Sequence, residues 1–174
     1  FAIWEGGLAS HGATLGIIIG LYLYGRRSGD GFIWLLDRVS IPTALAGACI
    51  RIGNFFNSEI LGTPTDSVFG IVFARIDDWP RHPVQLYEAA SYLLIYICSL
   101  WLYRKTADNY RPGLIFGWFI SLLFTARFLL EYFKTEQAMY DNGLNINTGQ
   151  LLSIPFILTG VGFIVWSYRR SPTA

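Results

Sequence analysis

Charge is what this sequence has least of. Only 14% of its 174 residues are Asp, Glu, Lys or Arg, against about 25% in an ordinary soluble domain. That deficit points to lipid, rather than water, as the solvent of much of the surface. The net charge is +1 and no Lys/Arg-rich run occurs, which excludes a nucleic-acid-binding face. Histidine is scarce as well, with His11 and His82 the whole supply. The two cysteines, Cys49 and Cys98, both lie in apolar runs and form no Cys-x-x-Cys pattern. A structural zinc site therefore has no ligand framework, and no metal or cofactor is expected. Both cysteines read as small buried hydrophobes. No basic segment precedes an apolar one in the manner of a signal peptide, and repeats and low-complexity tracts are missing. The chain starts at Phe1 rather than Met, so a fragment or a processed product is expected.

What is present in abundance is apolar, at 53% hydrophobic and 17% aromatic residues. A membrane-spanning helix needs about 20 largely apolar residues to cross a hydrocarbon core of about 30 Å. Five stretches qualify as candidates: 8–24, 32–56, 84–103, 113–133 and 149–168. The expected fold is all-α, a polytopic integral membrane protein with about five transmembrane helices, residues 1–174 forming a single transmembrane domain. Pro42 and Pro155 fall inside two of these helices, where bends are tolerated in a membrane. If the helices alternate in direction, Arg26, Arg27, Arg104, Lys105, Arg111, Arg169 and Arg170 all collect on one side. The positive-inside rule makes that side cytoplasmic. Asp37 and Arg38, near the same side, read as snorkelling residues.

The opposite side gathers a different set. His11, the stretch Arg51–Glu59, the stretch His82–Glu88, Arg127, Glu131 and Gln150 all come to the same ends of their helices. An ionisable side chain within a bilayer costs at least about 2.5–3.5 kcal/mol and normally faces protein or a water-filled cavity. One shared cavity is the economical reading. Arg51 and Asn54 are three apart and share a helix face, as do Gln85 and Glu88. Arg127 and Glu131, four apart, can pair directly, either as a link between helices or as part of a ligand site. Arg75, Asp77, Asp78 and Arg81 read as solvated loop charges, and His82 before Pro83 as a helix-entry residue. Two guanidinium groups that never lose their charge, Arg51 and Arg127, suit a phosphate, and the phosphate available at that depth belongs to a phospholipid headgroup. Asn54, Asn57 and Gln85 offer neutral hydrogen bonds to glycerol hydroxyls, while His11 and Glu88 are proton-carrier candidates. These residues alone do not say which bond breaks, or whether one does.

The segments "WEGGLASHGATLG", "RIGNFFNSEILG", "RHPVQLYEA", "ARFLLEYF" and "GQLLSIPFI" occur in the order and rough spacing of bacterial phosphatidylglycerol–prolipoprotein diacylglyceryl transferases, which the chain resembles over nearly its whole length. The resemblance implies an integral inner-membrane enzyme. Such an enzyme moves the diacylglyceryl group of phosphatidylglycerol onto the lipobox cysteine thiol of a prolipoprotein signal peptide and releases glycerol phosphate. By position, the implied catalytic residues are His11, Arg51 and Arg127, with His11 the base. The implied substrate-binding residues are Asn54, Asn57, Glu59, Gly62, Gln85, Tyr87, Glu88 and Glu131. The expected partners are phosphatidylglycerol, the signal peptide and membrane lipids, with no nucleic acid. The family usually has about seven spans, so this chain is expected to lack the N-terminal ones and the essential tyrosine they carry. It also departs from the family locally, with Ala13 after His11-Gly12, Ser58 where glycine is usual, and "KTEQ" after the late helix. The alternative reading is a phospholipid-binding or transporting membrane protein that keeps the pocket without the chemistry.

Overall fold

The computed structural model describes residues 10–135 and 147–170. Five helices dominate: α1 (Ser10–Ser28), α2 (Phe32–Phe56), α3 (Val84–Lys105), α4 (Leu114–Leu130, tightening into a 3-10 turn over Glu131–Phe133) and α5 (Thr148–Arg169). The expected all-α fold is present, with one addition. Between α2 and α3 a minimal antiparallel hairpin pairs β1 (Ile71–Val72) with β2 (Pro80–Arg81). Among the described residues, four helices are long and apolar enough to cross a membrane: Phe32–Phe56, Val84–Lys105, Leu114–Phe133 and Gly149–Arg169. The protein is thus a multi-pass membrane protein. The fifth expected span, α1, forms a helix but is not among the four. Its polar first turn (Ser10, His11) and the terminal Arg26 and Arg27 shorten its apolar stretch.

The helix ends follow from local chemistry. Gly31 (φ +79°) and Gly113 (φ +80°) lie just before α2 and α4 in backbone conformations that favour glycine. Pro83 precedes the first residue of α3. Asn147 and Gln150 form a reciprocal capping box at the start of α5, Gln150 Oε1 accepting from Asn147 N–H at 3.1 Å. Basic residues occupy the last turns of α1, α3 and α5, where they complement the helix dipole.

Lipid tails are as apolar as leucine, so close packing rather than water exclusion must hold such helices together. The core lies where α2, α3 and α4 meet, built on Ala44, Ala48, Tyr92, Ile95 and Phe119. α5 packs extensively on α4, and there Gly117 and Gly160 bring the two backbones together. A Cβ on Gly117 would lie 2.8 Å from the Gly160 carbonyl oxygen. Large apolar side chains such as Leu94, Ile97, Leu129, Leu152 and Leu158 point outward, as lipid-facing residues do. Cys49 and Cys98 join them. Both are exposed free thiols, contrary to the buried sites expected, because an apolar run in a membrane helix has an outer face that serves equally well.

The two ends of the bundle are tied differently. At the basic end, Asp37 does not snorkel but is fully buried. Its carboxylate accepts from Tyr110 Oη, Gly113 N–H and Phe116 N–H, each at 2.7 Å, and so caps α4 from α2. Burial, then Asp37, raises the pKa of the Tyr110 phenol above its usual range. Arg38 lies over the rings of Trp34, Tyr103 and Tyr110 at 4.4–5.0 Å.

Candidate active site

At the end opposite the basic residues, a buried carboxylate organises the site. Glu88 sits in the second turn of α3 and is fully buried. Its Oε2 lies 3.0 Å from Arg51 Nε of α2, and its Oε1 lies 2.9 Å from Lys134 Nζ, just beyond α4. Lys134 also approaches Glu131 Oε2 at 3.2 Å. An ionic chain Arg51–Glu88–Lys134–Glu131 therefore links three elements that are remote in sequence.

The signature loop, residues 51–62, meets this chain through its side chains. Arg51 Nη1 donates to Asn54 Oδ1 at 3.4 Å, and Asn54 Nδ2 donates to Glu59 Oε2 at 2.6 Å. Gln85, fully buried, donates through Nε2 to the Glu59 carbonyl oxygen at 2.6 Å, while its Oε1 is buried without a hydrogen-bond partner. The backbone on either side of Glu59 is strained, with Ser58 at φ +58° and Ile60 at φ +54°. For a β-branched residue that region is an outlier, and such strain persists only where the surroundings impose it. Gly62 pairs with Lys134 as an isolated bridge and packs directly on the chain ahead of α3. A Cβ there would lie 2.7 Å from Val84 Cγ2 and nearer still to the His82 carbonyl oxygen.

A loop clamp holds Gly62 from outside. Arg81 donates through Nη1 to the Gly62 carbonyl oxygen at 3.1 Å and through Nε to Asp77 Oδ2 at 3.1 Å. The pair is thus more than two solvated charges. The Arg81 hydrogen bond holds the Asp77 carboxyl below the usual aspartate range, assisted by the Trp79 N–H. His82 serves as the expected helix-entry residue, its ring edge-on to Phe133 at 5.1 Å and its Nδ1 3.4 Å from Tyr87 Oη.

The sequence-derived candidates fall into groups. Arg51, Asn54, Glu59, Gln85, Glu88 and Glu131 are joined by the contacts above, directly or through Lys134. Gly62 and Tyr87 border them. Asn57 is brought less close: it is the exposed C-cap of α2, and its backbone N–H donates to the Gly53 carbonyl oxygen at 3.0 Å. The Arg127–Glu131 pair does not form. The α-helix ends at Leu130, and Glu131 opens the 3-10 turn and meets Lys134 instead. Arg127, half-buried in the last turn of α4, has no hydrogen-bond or ion-pair partner among the described residues. Gln150 is structural, capping α5 and donating to the Phe128 carbonyl oxygen at 3.3 Å. His11 falls in the first turn of α1, and its side chain lies outside the described residues. Lys134 is a site residue that the sequence does not mark as functional. Its one signal was a position three residues after Glu131, the helical spacing of an ion pair.

A helical multi-pass membrane protein, with an ionic cluster buried at one end of its bundle and, in the last turn of α4, an arginine without a carboxylate partner among the described residues, is the class that fold and site define. Comparison with known proteins narrows this. The chain belongs to the prolipoprotein diacylglyceryl transferase family, whose model matches residues 1–166. It is 53% identical over 169 residues to the phosphatidylglycerol–prolipoprotein diacylglyceryl transferase of Tolumonas auensis, covering 97% of this chain and 65% of that protein. The Chloroherpeton thalassium protein of the same name is 46% identical, with 97% and 63% covered. That of Porphyromonas gingivalis is 42% identical, with 99% and 66% covered. The chain thus spans just under two-thirds of the length of these relatives.

Proposed function

We propose that the protein transfers the diacylglyceryl group of phosphatidylglycerol to the lipobox cysteine thiol of a prolipoprotein signal peptide, releasing glycerol phosphate. Family membership supports the reaction class. The observation that carries the site assignment is Arg127, a permanent cation near the end of an apolar helix with no carboxylate of its own among the described residues. Placing such a charge at membrane depth is costly without an anion. A phospholipid phosphate supplies one, and a guanidinium fork matches its oxygens.

On this reading the lipid phosphate lies between Arg127 and Arg51. Arg51 spends Nε on Glu88 and Nη1 on Asn54, which leaves Nη2 for the substrate and fixes the fork's orientation. Asn57, exposed at the end of α2, is a hydrogen-bonding group for glycerol hydroxyls, and the buried Gln85 serves the substrate by holding the Glu59 backbone in place. Both oxygens of Glu88 are engaged by cations, so Glu88 positions Arg51 and Lys134 rather than moving a proton. The base falls to His11. It takes the proton of the lipobox thiol, because the thiolate is the competent nucleophile. Sulfur then attacks the glyceryl carbon bearing the phosphate ester. The carbon–oxygen bond breaks, a thioether forms, and the electron pair leaves on the phosphate oxygen. The two arginines stabilise that charge where little water screens it. The reading sets the protein in the bacterial inner (plasma) membrane, basic end toward the cytoplasm and ionic cluster toward the periplasmic leaflet.

The test is product chemistry. The purified protein is incubated with phosphatidylglycerol and a lipobox peptide, and both products are followed. Thioether-linked diacylglyceryl peptide appearing in step with glycerol phosphate is the expected result. Phosphatidylglycerol binding without either product would assign the pocket to lipid binding or transport instead.

A further inference from the structure

The basic end holds a second lipid-shaped feature that the transferase reading does not use. α3 and α5 both pack on α4 but barely touch each other, and a groove of about 630 Å³ opens between them. That volume lies within the usual range of small-molecule sites, about 300–1,000 Å³. Its floor is the i, i+4, i+8 face of α4, namely Leu114, Trp118 and Leu122. One wall is the α3 face carrying Cys98, Trp101 and Lys105, and Tyr168 of α5 stands opposite.

The lining changes character along its length. Apolar side chains fill the part that runs into the bundle, while Lys105, Asn109 and Arg111 stand where the α3–α4 loop begins and ends. No carboxylate lines the groove among the described residues. The ammonium of Lys105 lies 4.7 Å from the centre of the Trp101 ring, and the Arg111 guanidinium 5.1 Å from that of Tyr168. Neither cation has a salt-bridge partner among the described residues, although Arg111 Nη1 also donates weakly to the Arg170 carbonyl oxygen at 3.4 Å. From Leu114 to Leu122 the floor runs about 12 Å at 1.5 Å per residue, close to one leaflet's share of a hydrocarbon core about 30 Å thick. Cations at headgroup level above an apolar channel one leaflet deep match a phospholipid in both charge and length.

We propose that this groove binds an anionic phospholipid of the leaflet at the basic end, its phosphate between Lys105 and Arg111 and an acyl chain along Trp118 and Leu122. The site lies at the other end of the bundle from Glu88 and stands whether or not the protein is a transferase.

Cys98 provides a local reporter. In a Cys49→Ser background it is the one thiol left, since the chain has two cysteines. Maleimide modification of Cys98 is timed in detergent micelles with added dioleoyl phosphatidylglycerol or dioleoyl phosphatidylethanolamine, and retained lipids are counted by native mass spectrometry. Phosphatidylglycerol should slow labelling where phosphatidylethanolamine does not, and should leave one extra retained lipid beyond the one held at the transferase site. Lys105→Gln with Arg111→Gln should weaken that protection about tenfold, equivalent to about 1.4 kcal/mol. Cys98→Trp, which fills the groove and leaves both cations, should lose the extra lipid. Equal protection by the two lipids would reduce the groove to ordinary lipid contact and overturn the proposal. So would unchanged retention in both the charge and the Cys98→Trp variants. Occupancy of the transferase site leaves Cys98 labelling unaltered, so failure of one reading is not mistaken for failure of the other.

Discussion

Glu88→Gln probes the centre of the site while keeping the side chain's shape. In the native protein a fully buried carboxylate faces two cations at 3.0 and 2.9 Å. At an effective dielectric of about 20 and a separation of about 3 Å, each such contact is worth about 5–6 kcal/mol before desolvation is subtracted. Desolvation removes several kcal/mol per ion, yet taking away one partner of a buried ionic group typically costs about 3–5 kcal/mol, because the remaining charges stay buried. The glutamine carbonyl can still accept one hydrogen bond, so the expected loss is about 3 kcal/mol, the low end of that range. Equilibrium unfolding in mixed micelles measures it. The companion variants are Lys134→Met and the double Glu88→Gln/Lys134→Met. Removing Lys134 as well takes away one orphaned cation, so the double variant should recover at least about 1 kcal/mol relative to the sum of the singles. A Glu88→Gln loss under about 0.5 kcal/mol, the size of an ordinary surface change, would refute the reasoning, and so would strict additivity of the two substitutions.

Other expectations concern the frame around the site. Asp37→Ala strips three hydrogen bonds from Tyr110 and the α4 N-terminus and should destabilise the protein by about 3 kcal/mol or more, each bond to a charged group being worth about 1.5–3 kcal/mol; thermal unfolding in detergent checks this. Gly62→Ala puts a methyl group against the His82 carbonyl and Val84. It should displace the signature loop, seen as faster hydrogen exchange at Thr63 and His82, whose N–H groups donate across that loop. Ser58→Gly relieves a left-handed backbone and should raise stability by up to about 1 kcal/mol. The Asp77–Arg81 clamp should persist at neutral pH. Because its carboxyl is held below the ordinary aspartate value of about 3.9, its contribution is present above that value and lost as pH falls through the lowered one. The protection factor of the Trp79 amide, followed from about pH 6 downward, should hold through the ordinary aspartate value and fall only below it.

Much of this architecture was readable because a membrane writes long signals. The runs that became α3 and α5 are predominantly apolar, and the expected 84–103 and 149–168 differ from Val84–Lys105 and Thr148–Arg169 by a residue or two at their ends. Within the site, Arg51 and Asn54 were legible as an i, i+3 pair and do meet. Arg127 and Glu131 carried an equally good spacing, but helix periodicity cannot reveal that the helix tightens at Glu131 or that a lysine beyond it competes. Lys134 itself was hidden because a lysine following an apolar helix is ordinarily solvated; only the fold brings Glu88 to it. Asp37 was misread for a similar reason. Its partners, Tyr110, Gly113 and Phe116, lie more than 70 residues away, and nothing local to Asp37 marks it as a cap. The strained Ser58 and Ile60 show why that region reads as a signature: the backbone conformation, and not only the side chains, is what holds Glu59 against Asn54 and Gln85.

The central claim is that Arg127 is held free for a lipid phosphate. The direct measurement is single-turnover transfer from phosphatidylglycerol to a lipobox peptide by the Arg127→Ala protein, with its folding verified by unfolding in the same micelles. The account predicts a rate lower by about 10²–10³, the usual cost of removing one preorganised charge-stabilising donor, with stability within about 0.5 kcal/mol of the native protein. Transfer at close to the native rate by a folded Arg127→Ala protein would contradict it.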